Sequence, residues 1–179
     1  VFWLARIWSN GIGGIVSAIA YLYAPYLLFD VFTRGTLTEV AALAILPWTL
    51  WAFTRLSQHG RRLDFALAVG SFALFIPIHN IVTLHGTLLL MTYCMFLWLS
   101  ASERRRGFAQ MASAGVLAVA LTAFFWLPAL GETGATKLDG VVANLDFIDP
   151  TNTLRPITEI LAPPQTYDPT QQQQAIPIT

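Results

Sequence analysis

Charge is what this chain has least of. Of its 179 residues, 11% are Asp, Glu, Lys or Arg, against roughly 25% in soluble domains. The formal net charge is zero, so there is no basic surplus of the kind that draws nucleic acid. Cysteine is nearly absent: Cys94 stands alone in an apolar run, which excludes an intrachain disulfide. No HExxH or comparable ligand spacing occurs, so no metal or other cofactor is expected, and no Ser/His/Asp or Cys/His grouping has supporting context. Gly11-Ile-Gly-Gly14 follows no strand, so phosphate-loop chemistry is not indicated; small residues there suit close helix packing. No basic segment and small-residue cleavage site flank the first apolar run, so no cleavable signal peptide is expected. The chain starts at Val1, almost inside an apolar segment, and stops in a polar stretch at Thr179. It reads as an internal piece of a longer protein.

Apolar residues fill the space that charge leaves, at 55% of the chain and a mean hydropathy of +0.59. A membrane span needs roughly 20 apolar residues to cross a hydrocarbon core about 30 Å thick. Five stretches approach this, at 2–29 (cleanest from Ile12), 37–56, 63–78, 82–100 and 108–130. Backbone groups in lipid are satisfied within a helix or a closed barrel. Gly115–Leu130 shows none of the alternation of barrel strands, so the expectation is an all-α, polytopic transmembrane helix bundle over residues 1–130.

The third stretch is short, and its crossing is argued from charge. Arg55, His59, Arg61 and Arg62 cluster in the second connection and Arg104–Arg106 in the fourth, whereas the first and third carry only Arg34. Short basic loops stay cytoplasmic, so two of them require an even number of crossings between. The N-terminal end, with Arg6, then faces the cytoplasm and the chain leaves outward after Leu130. Tyr21, Tyr23, Tyr26, Trp48, Trp51, Trp98 and Phe124–Trp126 fall near span ends, as interfacial rings do. Pro47 and Pro77 should kink their spans or break them locally.

Composition changes at Gly131. Residues 131–179 hold six of the ten prolines and most of the acidic residues, and they read as an irregular extracytoplasmic segment, itself truncated. One short helix is expected near Leu154–Leu161, where Leu154, Ile157, Ile160 and Leu161 share a face. Gln171–Gln174, between Pro169 and Pro177, reads as linker.

The candidate chemistry gathers in the two outer turns. Asp30 and Arg34 stand four apart and can pair across one helical turn, and Gly35 lets the chain reverse. Glu39 opens an apolar helix, where an ionisable group at membrane depth suggests function and a carboxylate is also favoured by the helix dipole. The three make either a salt-bridged corner or a site for a substrate or headgroup, in which the planar fork of Arg34 suits a phosphate. His79 and Asn80, with His85 after them, occupy the other outer turn. They either hydrogen-bond a polar ligand or close a helix end. Asp139, Asp146, Asp149, Arg155, Glu159 and Asp168 form no pattern.

The order Tyr21, Pro25-Tyr26, Asp30, Arg34-Gly35, Glu39 and Pro47 resembles the bacterial polytopic membrane proteins catalogued as 6-pyruvoyl-tetrahydropterin synthase-related. His79-Asn80 and Phe125-Trp-Leu-Pro-Ala129 fit the same pattern, up to about Leu130 and more loosely over Leu154–Pro164. Nothing resembles the soluble synthase, an α+β zinc enzyme. Those membrane proteins are similar to GT-C type glycosyltransferases. The resemblance therefore implies a multi-pass protein of the bacterial plasma membrane that moves a sugar from a polyprenyl-phosphate donor on the outer face. The catalytic acidic residue of such enzymes lies in an outer loop expected upstream of Val1. Asp30, Arg34, Glu39, His79 and Asn80 then line the site, with Arg34 and His79 as contacts for lipid phosphate. The competing expectations are a transporter or flippase for a lipid-linked solute, and a non-catalytic membrane scaffold. The bilayer is the partner in all three.

Overall fold

The computed structural model describes residues 1–100 and 104–132. The described residues are helical and hold no strand: α1 (Phe2–Trp8), α2 (Gly11–Leu22), α3 (Pro25–Phe29), α4 (Leu37–His59), α5 (Arg62–Phe75), α6 (Asn80–Ser100), α7 (Arg104–Leu121) and α8 (Ala123–Gly131). Between α3 and α4 the chain makes one π-helical turn, Asp30–Arg34. The helix expected near Leu154–Leu161 lies outside the described residues.

Local chemistry sets the boundaries. Asn10 caps α2, its Oδ1 accepting from Gly13 N at 2.8 Å. Pro25 opens α3, where its missing N–H costs nothing. Gly35 and Gly60 end the π turn and α4 with φ of 64° and 61°, a left-handed conformation that glycine adopts without a Cβ penalty.

The first and last apolar stretches are not single straight helices. Phe2–Trp8 forms a helix of its own, α1, which packs against α2 with its Phe2 ring 2.9 Å from where a Cβ on Gly14 would stand. The first apolar stretch then bends by 41° between α2 and Pro25–Arg34. The last bends by 64° between α7 and α8. There Thr122 Oγ1 bonds the carbonyls of Ala118 and Val119, and Trp126 Nε1 donates to Val119 O at 2.9 Å. Side chains thus take up carbonyls at a bend where the regular ladder is interrupted.

Pro47 does not break α4, which runs unbroken from Leu37 to His59. A proline leaves the carbonyl four residues earlier without its amide donor. Here that carbonyl is Leu43 O, and Tyr21 Oη donates to it at 2.7 Å. Pro77 falls in a turn after α5. Thr83 Oγ1, from α6, bonds the carbonyls of Phe75 and Ile76 at 2.9 and 3.2 Å and so closes that helix end.

The bundle is built around α4, which touches α1, the π turn, α5, α6 and α7. Its core joins Phe53 and Leu56 to Phe72 and Phe75 of α5, Leu90 and Leu97 of α6 and Met111 of α7. Fully buried Ala42, Ala52, Ala68, Ala114 and Ala118 let the helix axes approach, as small residues do in membrane bundles. Gly86 has the same role: a Cβ there would stand 2.5 Å from Phe75 Cζ. A relay fixes the register. Trp8 Nε1 donates to Tyr93 Oη at 3.2 Å, and Tyr93 Oη lies 2.8 Å from Thr54 Oγ1, which donates to Leu50 O at 2.7 Å. Thr54 thus faces Tyr93, and Leu46 faces Gly86. Helices α4 and α6 therefore run in the same direction with nearly constant offset, which puts Glu39 and His79 at one end of the bundle. At the other end Gln110 Nε2 of α7 donates to Gly60 O at 3.3 Å, so the turn after α4 meets the first half of α7 there.

Large apolar side chains cover the outside: Ile12, Phe32, Leu84 and Val116 are more than half exposed, a surface suited to lipid rather than water. Helices α4 and α6 are each long and apolar enough to cross a membrane, and the crossings number four if each bent pair forms one span. Fourteen-residue α5 extends about 21 Å at 1.5 Å per residue, short of a hydrocarbon core of about 30 Å. A fifth crossing therefore rests on the charge pattern and not on helix length.

Candidate functional site

The π turn and the start of α4 build a compact ionic cluster. Asp30 opens the π turn, and its side chain is fully buried. Such π turns recur at functional sites. Arg34 Nη1 stands 2.9 Å from Asp30 Oδ1 and 3.3 Å from Glu39 Oε2. The Glu39 side chain is 8% exposed and that of Arg34 45%. Tyr26 Oη donates to the second Glu39 oxygen, Oε1. One guanidinium is thus held by two buried carboxylates, one of them fixed by a phenol. Buried carboxylates left unpaired are costly, so this geometry is strongly preferred to any that frees either acid.

Two polar atoms in the cluster keep bonding capacity. Asp30 Oδ2 and Thr36 Oγ1 are buried and lack a hydrogen-bond partner. Arg34 Nη1 is the atom in contact with both carboxylates, Tyr26 also interacts with the guanidinium, and a guanidinium carries five N–H donors.

Of the five residues expected from the sequence, the structure joins Asp30, Arg34 and Glu39 directly. His79 and Asn80 lie at the same end of the bundle, and among the described residues no hydrogen bond or ion pair ties them to the cluster. His79 Nδ1 accepts from Val82 N at 3.3 Å and so caps α6, while Asn80 is exposed. His85 is bonded to its own helix, Nδ1 lying 2.8 Å from Ile81 O. Among the described residues no three His, Cys, Asp or Glu side chains gather as a metal site.

Sequence reasoning missed Tyr26 as a site residue and missed Asp64 altogether. Tyr26 lies 13 residues from Glu39, a separation with no periodic signature. At the far end of the bundle Asp64 is fully buried, with Oδ1 2.8 Å from Arg55 Nε and Oδ2 unpartnered. Arg55 also lies over Trp51, 5.2 Å from the ring centroid, a cation–π distance. The available signal for Asp64 was an acid in the first turn of a helix facing a basic last turn across a short connection.

The family model of the 6-pyruvoyl-tetrahydropterin synthase related domain, described as a membrane protein, matches residues 1–164. The chain belongs to that family. The match takes in every described helix, the ionic cluster and the His79 turn. The family's description as a membrane protein agrees with the helices able to span a bilayer. No curated protein matches the chain, and no solved structure does.

Proposed function

We propose that this member of the synthase-related family is the membrane-embedded part of a GT-C-like glycosyltransferase, using a polyprenyl-phosphate sugar donor at the outer face of a bacterial plasma membrane. The observation that carries the reading is Arg34. Two buried carboxylates fix its Nη1, and its side chain is nearly half exposed. The remaining donors of the fork suit a phosphate oxygen pair. A guanidinium already oriented loses little entropy on meeting it. The resemblance of the Tyr21–Pro47 stretch to that class of membrane protein supports the same reading. In it the cluster binds and orients the donor, Asp30 and Glu39 hold Arg34, and Tyr26 holds Glu39. His79 and Asn80 flank it at the same end, and residues 131–179 share that outer side. No residue of the chain is assigned the acid–base step.

The test is Arg34→Ala in the full-length protein, assayed for sugar transfer from a polyprenyl-phosphate donor. A charge-assisted contact is worth about 1.5–3 kcal/mol, so transfer should fall by roughly ten- to hundredfold, with Arg34→Lys intermediate. Unchanged transfer would remove Arg34 from the site and the reading with it.

A second reading, a transporter or flippase for a lipid-linked solute, has the two bent helix pairs in its favour, since discontinuous helices build transporter sites. Passage of the lipid-linked sugar across sealed vesicles without any transferase activity would select it. A scaffold predicts neither activity.

A further inference from the structure

One groove in the bundle is left unfilled by the side chains around it. It runs between α6 and α7, has a volume of about 620 Å³, and is floored by Phe53 of α4 and Phe72 of α5. Those two rings are 2% and 4% exposed, whereas Met91, Met95, Phe108 and Val116 at the rim are each more than half exposed. The groove therefore reaches from the lipid-facing surface to the core. All three methionines of the chain, Met91, Met95 and Met111, line it, and an unbranched thioether adapts to the shape it meets. Gly115 lines it too, and a Cβ there would meet nothing within 4 Å. At Gly86, by contrast, close packing against Phe75 requires the missing side chain. A glycine inside a helix is destabilising relative to alanine, and what Gly115 leaves is open space in the groove.

What fills this space follows by exclusion. Water gains no partners there, because the walls are apolar apart from Thr87 at one end and the weakly polar Cys94 thiol. Left empty, the groove would leave Phe53, Phe72 and Leu90 without contacts on one side. The groove follows α6 from Trp98 back to Thr87, about 16 Å at 1.5 Å per residue. An α-helix about 10 Å across would occupy roughly 1,300 Å³ over that length, twice the space present. A single hydrocarbon chain is narrow enough, and the rim is continuous with the apolar surface suited to lipid.

We infer that the groove is a binding site for one acyl chain of a membrane phospholipid. The lipid stands in the leaflet at the end of the bundle away from Arg34. Trp98 and Phe108, with ring centroids 5.4 Å apart, form the mouth, and a tryptophan there suits the level of the membrane interface. From the mouth the chain runs past Cys94, Met111 and Gly115 toward Thr87 and Val119. In that position it packs on Phe53 and Phe72 and takes the place of side chains between α6 and α7. Recognition is through the chain, so the headgroup is not selected. The site stands apart from the proposed transferase site, and neither reading depends on the other.

The test uses full-length protein, delipidated in mild detergent and titrated with a phosphatidylcholine that carries a photoactivatable diazirine midway along one acyl chain. Cross-linking to residues 87–98 and 108–119 should saturate at a single lipid per protein. Cross-linking to Ile12 and Phe32, exposed on other elements, should keep rising with added lipid. Groove cross-linking that rises in step with Ile12 and Phe32 would reduce the groove to ordinary lipid contact and overturn the inference. Absence of cross-linking there, as when another segment of the full-length protein fills the groove, would overturn it too. Unlabelled phosphatidylcholine and phosphatidylglycerol should compete equally; competition by one alone would mean that a headgroup is read instead of a chain, and would refute the site as stated. Gly115→Leu and Ala112→Phe put bulk into the groove and should cut its cross-linking by roughly tenfold, with Ile12 and Phe32 unchanged. Undiminished groove cross-linking in either folded variant refutes the site; if both variants unfold, saturation in the unaltered protein decides.

Discussion

The Tyr21 hydroxyl donates a 2.7 Å hydrogen bond to the Leu43 carbonyl, the acceptor that Pro47 leaves without its amide partner. One side chain from α2 thereby repairs the ladder of α4 and joins the two helices. Tyr21→Phe should cost about 1–3 kcal/mol, the usual penalty for a buried group left unsatisfied, measured by unfolding in detergent. In a Pro47→Ala background the amide returns, and the same Tyr21→Phe change should cost nearly nothing. A double-mutant cycle measures the coupling, and additive losses would show that the bond does not serve the proline.

The Arg55–Asp64 pair should be the more sensitive of the two ionic contacts to loss of its cation. Asp64 is fully buried and, among the described residues, Arg55 is its only ion-pair partner, so Arg55→Met strands a carboxylate at a cost of about 3–5 kcal/mol. Replacing both, as Arg55→Met with Asp64→Leu, should recover most of that loss. Chemical denaturation of the single and double variants decides it, and a double variant as unstable as Arg55→Met contradicts the account.

Crossing by α5 can be read directly. With Cys94→Ser as background, single cysteines at Gln58 and Asn80, both exposed and on either side of α5, should react with an impermeant maleimide from opposite faces of intact cells. Gln58 should label only after permeabilisation, and a cysteine at Thr170 should label from outside. Labelling of Gln58 and Asn80 from one face means that α5 is a buried helix that does not cross.

The apolar stretches were legible because a bilayer imposes length and composition on any helix within it. The turn at Asp30–Glu39 was legible for a similar reason: the four-residue spacing of Asp30 and Arg34 is itself a helical contact. What escaped depends on chain segments far apart in sequence. Phe2 folds onto Gly14 through the fit of a ring to a glycine, which periodicity does not encode. The π turn differs from an α turn by one hydrogen-bond step that composition does not mark. Tyr26 reaches Glu39, and Arg55 reaches Asp64, only once neighbouring helices are side by side. His79 presented the same residue for a ligand contact and for a helix cap, and its Nδ1 is engaged in the cap.

Both carboxylate–arginine groupings sit at the two ends of the bundle. Between them, α4 from Val40 to Thr54, α5 from Phe65 onward and all of α6 contain no Asp, Glu, Lys or Arg. A charge carried across the whole field is worth about 2.3 kcal/mol per 100 mV, and these helices offer none to move. In an energised membrane these stretches of α4, α5 and α6 therefore present no Asp, Glu, Lys or Arg side chain on which the field can act.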